Sequence, residues 1–386
     1  MIPYGRQNIS DADIEAVIAA LKSEYITQGP RVRSFETCVA GIAQSPHGIA
    51  FNSATSALHG ACLALGLGPG DLLWTSPISF VASSNCGLYC GAEVDFVDIE
   101  PDTFNMSVSA LTEKLEQAER NGRLPKVLVP VHMAGQSCDM AEIGKLAVRY
   151  GFRVIEDASH AIGGNYQGKP VGNCEHSDIT VFSFHPVKII TSGEGGMAMT
   201  RNAQLAERLA LYCSHGVTRD PRLMRGESEG PWYYEQIALG FNYRMTDIQA
   251  ALGESQCHRL TQFVERRNAL ARRYDSLLDA LPLITPVVRE DRVSAFHLYV
   301  VRIDNAAADR RAVFEQLRED GIGVNVHYIP IYHQPYYQSL GFERGYCPAA
   351  ERYYESAISI PMFFDLSDEE QDRVVACLDK ALKSSD

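Results

Sequence analysis

The sequence predicts an α/β fold built on a largely parallel sheet, with a smaller α+β part towards its C-terminal end. Three observations carry this. From residue 47 to about residue 200, short apolar, β-branched runs alternate with amphipathic helical stretches; such strand–helix–strand alternation lays strands parallel and covers both sheet faces with helices. At 386 residues the chain is too long for one ordinary domain. After about Leu205 the alternation stops, and a long helical stretch at 247–281 leads into a different pattern.

The elements follow in order. Residues 1–30 form a lead-in, in which Ser10-Asp11-Ala12-Asp13 caps a helix carrying Ile14, Val17, Ile18 and Leu21 on its apolar face. Gly29-Pro30 stops it, and a second helix is predicted at 32–42. Residues 47–52 read as a buried strand that runs into Asn52-Ser53-Ala54-Thr55-Ser56-Ala57-Leu58, the start of a helix. Further strands are predicted at 72–75, 94–99, 127–132, 152–156, 179–184 and 197–200, with helices at 80–91, 108–120 and 140–150 between them. Beyond a helix at 204–213 and a polar, Arg/Glu-rich stretch, the long helix is followed by strands at 297–303 and 324–328 and helices at 310–320 and 368–383. The expected division is a large domain over 1–255, lead-in included, and a small one over 256–386.

Composition narrows the function. The net charge is −13, with no run of Lys or Arg, which points away from nucleic acid, whose phosphates need a basic footprint. No apolar run approaches the ~20 residues of a membrane span, and no membrane partner is expected. Ten cysteines lie scattered without a CxxC pair, and Cys174-x-His176 lacks a second pair to complete a metal site, so no metal is expected. Free cysteines and the absence of a secretory signal pattern predict a cytoplasmic protein.

The chemistry gathers where strands end, which is where ligands sit in parallel sheets. Lys188 follows the apolar run Ile179-Thr180-Val181-Phe182-Ser183-Phe184; a lysine that loses hydration there has a lowered pKa and attacks carbonyls. A solvated surface lysine is the competing reading. Asn52–Ser56, at a strand-to-helix junction, suits an anion such as phosphate, or is plain N-capping. Phe80 could lay a ring in the site or sit in the core. Asp157 leaves its strand into the same crevice, or caps the next helix. Together an amine, an aspartate, an aromatic plane and an anion cup are what pyridoxal 5'-phosphate requires.

These residues also carry a resemblance. Glu156-Asp157-Ala158-Ser159-His160, Phe182-Ser183-Phe184-His185-Pro186-Val187-Lys188 and Gly193-Glu194-Gly195-Gly196 resemble the DegT/DnrJ/EryC1/StrS family of sugar aminotransferases, over nearly the whole chain. The resemblance implies a fold-type-I, pyridoxal-phosphate-dependent aminotransferase whose large domain holds a mainly parallel seven-stranded sheet. It implies a Schiff base on Lys188, with the same lysine moving the proton. Asp157 would pair with the pyridine nitrogen, His160 would lie near O3′ and Phe80 would stack on the ring. Thr55, Ser56 and Ser183 would hold the phosphate. Asn242 would reach the phosphate from the other subunit of a homodimer with shared active sites. Tyr4, Ile26, Thr27, Gln28, Gly29, Ala54, Ser183, Asn242, His327 and Tyr328 would line the sugar-nucleotide site, with Arg31, Arg33 and Arg244 as candidates for its diphosphate.

Tyr25–Gly29, Asn52–Leu58, Pro77–Ala82 and Val326–Tyr332 look most like one branch, transaminases of pseudaminic acid synthesis. That branch implies L-glutamate as donor and a UDP-linked 4-keto-6-deoxy-N-acetyl hexose as acceptor; another UDP- or dTDP-4-keto-6-deoxy sugar is the alternative. His160 stands where many family members carry Gln, which reads as tuning. Some relatives carry His in place of the lysine and act as dehydratases, and Lys188 argues against that branch. A cysteine desulfurase would need a nucleophilic cysteine on a mobile loop. A non-catalytic sugar-nucleotide binder would be expected to have lost the lysine or the aspartate.

Overall fold

The computed structural model describes residues 1–304 and 308–384. Its central sheet contains β1 (His47–Phe51), β2 (Leu72–Thr75), β3 (Glu93–Phe96), β4 (Val127–Val129), β5 (Arg153–Asp157), β6 (Ile179–Ser183) and β7 (Gly196–Thr200), in the spatial order β1-β7-β6-β5-β4-β2-β3. Only β7 runs against the rest. The expected seven-stranded, mainly parallel sheet is therefore present.

Most strand residues are buried, because helices cover both faces. Leu73, Val127, Val129, Ile155, Ile179, Val181 and Ala198 point to one face, towards α3 (Ala54–Ala64), α4 (Ala82–Tyr89) and α7 (Ala203–Cys213). Their strand neighbours Trp74, Leu128, Val154, Phe182, Met197 and Met199 point to the other. There lie α2 (Pro30–Ala43), α5 (Val108–Arg120), α6 (Met140–Tyr150) and α8 (Asp247–Cys257). The period of two thus assigns Asp157 to the α3/α4 face and Glu156 to the opposite one.

The lead-in helix α1 (Asp11–Leu21) begins with the expected capping box between Ser10 and Asp13. Asp13 is fully buried, with donors from Ser255 Oγ (2.6 Å), Gln256 Nε2 (2.7 Å) and Arg259 Nη2 (2.6 Å), which fasten α1 to the end of α8. The long helix predicted at 247–281 is two helices. α8 stops at Cys257, and α9 (Leu260–Leu278) starts after the turn at His258–Arg259.

A second core lies between α9, α10 (Arg310–Glu319), α13 (Asp368–Ser384) and a small sheet of β8 (Leu283–Ile284), β9 (Tyr299–Ile303) and β10 (Ala357–Ile360). Residues 324–328 form no strand. Asn325 makes one bridge to Ser359, while its side chain accepts the Val326 N–H (2.8 Å), occupying a donor that a ladder would use. The two cores interleave in sequence. Ile2 packs in the second core and bonds Gly321 and Gly323, whereas Ile331, Tyr332, Tyr337 and Tyr353, around α11 (Pro335–Gln338) and α12 (Pro348–Ser356), pack into the core of α3 and α4. Among the described residues no helix is long and apolar enough to cross a membrane.

Candidate active site

The floor of the site is the carboxyl edge of β1, β6 and β5. Register fixes its width: Ser183 pairs with Gly196, Gly196 with Phe51, and Val181 with Asp157. Gly196 is required here, since a Cβ on it would stand 2.5 Å from the Ser53 and Ala54 backbone. Its absence lets the first turn of α3 close over the sheet. Ser53 caps that turn by accepting the Ser56 N–H (3.1 Å), and Ser56 Oγ donates to Asn52 Oδ1 (2.6 Å). Thr55 forms no side-chain hydrogen bond among the described residues and is free at the helix N-terminus, whose dipole favours an anion. Within the same chain the Asn242 backbone lies against Asn52: its carbonyl accepts from Asn52 Nδ2 (3.3 Å), and the Asn52 N–H donates to Tyr243 O (2.7 Å).

Lys188 stands in the turn after β6, its N–H bonded to His185 O (2.9 Å). Its amine makes no hydrogen bond or ion pair among the described residues. Burial draws it down to about 8 from the ordinary 10.5, and the charge of Asp157 only partly opposes this. Asp157 is 4% exposed; its Oδ2 accepts from Ser83 Oγ (2.6 Å) and its Oδ1 from the Ser159 N–H (3.1 Å).

Above this floor stands a wall of rings. His160 Nε2 lies 3.2 Å from Tyr328 Oη, and the Phe80 ring, 60% exposed, lies 6.5 Å from that of Tyr328. The Tyr4 ring sits 5.3 Å from His327, whose Nδ1 is 2.8 Å from Ser359 Oγ and whose carbonyl accepts from Tyr353 Oη (2.5 Å). Burial, then the charge of Lys188, holds His160 well below its ordinary value and takes His327 down to about 3, so both are neutral.

The structure thus gathers Lys188, Asp157, His160, Phe80, Tyr4, His327 and Tyr328 around one cleft, with Ser183, Ala54, Thr55 and Ser56 on the adjoining strand and helix ends. Ile26, Thr27 and Gln28 do not join them within this chain. They are exposed, and with Gly29 they are tied to the start of α8, where Asp247 accepts from the Gly29 N–H (2.7 Å) and Thr27 bridges Thr246. Arg31 pairs with Glu254 (3.8 Å), and Arg244 donates to Ser214 Oγ (3.1 Å).

Sequence reasoning missed two residues. Ser83 clamps Asp157. It lies one turn after Phe80, and its hydroxyl at a helix start was the only signal. His297 packs against His160 with ring centroids 4.4 Å apart and planes tilted by 44°. It is brought there by Gly135 (φ +114°), at which a Cβ would stand 2.7 Å from Phe296 N and 3.1 Å from His297 N; nothing local in sequence announces that contact.

An amine drawn down to about 8 and facing a buried aspartate, beside a helix N-terminus at the carboxyl edge of a parallel sheet, defines a site for carbonyl–amine chemistry anchored by an anion. Comparison with known proteins agrees. The chain belongs to the DegT/DnrJ/EryC1/StrS aminotransferase family, whose profile matches residues 7–379. It is 37% identical to the spore coat polysaccharide biosynthesis protein SpsC of Bacillus subtilis, covering 100% of this chain and 98% of that one. It is 36% identical to a UDP-4-amino-4,6-dideoxy-N-acetyl-β-L-altrosamine transaminase of Campylobacter jejuni, covering 94% and 92%. Among solved structures, Helicobacter pylori PseC, an aminotransferase of pseudaminic acid biosynthesis, superposes with a TM-score of 0.91 at 30% identity over 99% of both chains. The sugar aminotransferase Spr1654 of Streptococcus pneumoniae in its PMP form gives 0.90 at 30% identity over 100% of both; it is also solved in a PLP form.

Proposed function

We propose that this chain is a pyridoxal-phosphate-dependent transaminase that moves an amino group from L-glutamate to C4 of a UDP-linked 4-keto-6-deoxy-N-acetyl hexose, in pseudaminic acid biosynthesis. The observation that carries the reading is the Lys188 amine, drawn down to about 8 and facing Asp157. The side chains fit the cofactor. Asp157 offers an acceptor for a pyridine N–H, Phe80 an exposed ring face, and Thr55 with the uncapped first-turn amides of α3 donors for a phosphate, which Ser56 would join by turning its hydroxyl from Asn52. His160 Nδ1 and His297 Nδ1 are buried without partners among the described residues, so the pocket has polar capacity that the chain itself does not use.

Pyridoxal phosphate supplies, when bound, a ring that absorbs the electrons left by breaking a C–H bond. The chain does the rest. At pH 7 about one Lys188 amine in ten is neutral, against about one in three thousand at the ordinary lysine value. That neutral amine takes the donor's α-proton and returns a proton to the sugar carbon as general base and acid. Asp157 holds the proton on the ring nitrogen. Tyr328, His327 and Tyr4 line the acceptor side and exclude water. His160, held neutral, donates without adding charge beside Lys188.

Asn242, whose side chain makes no hydrogen bond among the described residues, and the exposed Ile26–Gln28 rim with Gly29 are assigned to the partner's site in a homodimer. All ten cysteines are unpaired, which supports a reducing, cytoplasmic setting. The similarity to SpsC favours, as a second reading, a different 4-keto sugar nucleotide as acceptor.

The test is a two-step reaction on purified protein. With pyridoxal phosphate it should develop a visible absorbance band that L-glutamate bleaches and the UDP-linked keto-sugar restores. A dTDP-keto-sugar that restores the band faster would move the assignment to the second reading. Protein that stays colourless would end both.

A further inference from the structure

Asp157 is buried with no cation paired to it among the described residues, and the one amine it faces is itself drawn towards neutrality. A buried carboxylate keeps its charge only if donors meet it. Two do, one per oxygen: the Ser159 N–H on Oδ1 and Ser83 Oγ on Oδ2, the latter at 2.6 Å. Ser83 is 1% exposed, so its hydroxyl has no water to turn to. A serine has one proton to give, and Ser83 gives it to Asp157. The 2.6 Å contact between Ser79 Oγ and Ser83 Oγ is therefore donated by Ser79. The result is a directed chain, Ser79 to Ser83 to Asp157, whose polarity matches an ionised carboxylate. It leaves a lone pair on each Asp157 oxygen for the cleft.

The chain is also held in place. The Ser83 N–H donates to Phe80 O (3.2 Å), so the aromatic wall and the carboxylate clamp share one turn. Tyr337 Oη donates to Asn85 Oδ1 (2.6 Å), fixing α4 from the C-terminal part of the chain.

We infer that Ser83 is a positioning residue: its hydrogen bond holds the Asp157 carboxylate aimed at the ring nitrogen of the cofactor, with Ser79 orienting its hydroxyl. This rests on the reading that the site takes pyridoxal phosphate. The test separates the two. Protein stripped of cofactor is titrated with pyridoxal phosphate and with 1-deazapyridoxal phosphate, in which C–H replaces the ring nitrogen while aldehyde and phosphate remain. Wild-type protein binds the natural cofactor more tightly. Ser83→Ala weakens the natural cofactor by about tenfold, the worth of one hydrogen bond to a charged group, and leaves the deaza analogue within about twofold. Ser79→Ala, which spares the donor on Asp157, gives a smaller loss confined to the natural cofactor. Equal weakening of both compounds would make Ser83 a packing residue, and no weakening of either would make it idle; each overturns the inference and leaves the cofactor reading standing. Wild-type protein that binds neither compound would bring down both.

Discussion

Glu156 and Asp157 are consecutive residues on β5, almost equally buried at 6% and 4% exposure, and they do opposite work. Glu156 points to the α5/α6 face into a closed set of donors: His132 Nε2 at 2.7 Å, Thr180 Oγ1 at 3.0 Å and Ser177 Oγ. The Cys138 N–H donates to His132 Nδ1 (3.1 Å), so the ring's proton sits on Nε2 and goes to Glu156. Asp157 points the other way, takes one donor per oxygen and keeps the remaining capacity for the cleft. Burial alone does not mark a functional carboxylate. Unspent acceptor capacity, facing an amine at the edge of a sheet, does.

The comparison is tested first at the amine. Lys188→Ala should lower the rate of amino transfer by at least about 10³-fold, because nucleophile and proton carrier are lost together. Single-turnover kinetics with L-glutamate would show it; a rate near wild type would remove Lys188 from the chemistry and leave Asp157 without a reason to stay open.

The neighbouring carboxylates should then separate cleanly. Asp157→Asn should cost about 10²–10³ in kcat/KM, the usual scale for removing a placed charge, while the urea midpoint stays near wild type. Glu156→Gln should do the reverse. It should lose roughly 1–3 kcal/mol of stability through a mismatched buried network, with activity per folded molecule within a few-fold. Burial would push the Glu156 carboxyl up, but His132, Ser177 and Thr180 outweigh it and hold it below 4.5. Its stabilising contribution is therefore complete above about pH 4.5 and is lost as pH falls through the lower folded value. Acid unfolding of the Glu156→Gln protein should accordingly be shallower. Equal catalytic losses in the two variants would break the comparison.

The amine adds a pH signature to the same contrast. Its value falls from 10.5 to about 8 in the fold, and only the deprotonated form attacks an aldehyde. Capture of pyridoxal phosphate by stripped protein should rise with pH and level off above about 8. The apo fold should also gain stability between about 8 and 10.5, where the unfolded chain holds the proton that the folded chain has released. Stopped-flow absorbance gives the first curve; a plateau only above 10 would mean that Lys188 is solvated.

The floor of this site was legible in the sequence because strand ends announce themselves. An apolar run followed by polar residues places Lys188 and Asp157 at one sheet edge, and Asn52–Ser56 at a strand-to-helix junction places a helix N-terminus beside them. The wall was legible only by resemblance. Tyr4 and Tyr328 reach the cleft through the packing of chain ends more than three hundred residues apart, and no local period encodes that. The predicted strand at 324–328 failed for a related reason: Asn325 spends its side chain on the next backbone N–H, a competition that apolar patterning does not register. Ser83 and His297 were missed because a serine at a helix start and a histidine in an apolar stretch have ordinary structural uses.

The smallest effect is expected at His160, and it tests whether the wall shares the chemistry of the floor. Burial, then Lys188, then His327 keep this ring neutral. It therefore offers one donor and one acceptor, with Nε2 3.2 Å from Tyr328 Oη and Nδ1 without a partner among the described residues. A glutamine amide supplies both functions at similar reach and forfeits only the ring contact with His297. Such contacts are worth about 0.5–1.5 kcal/mol, so His160→Gln should keep kcat/KM within about tenfold of wild type, and His160→Leu, which removes both polar functions, should fall further. A hundredfold loss in the glutamine variant would mean that His160 moves a proton, placing it with Asp157 rather than with the satisfied network around Glu156.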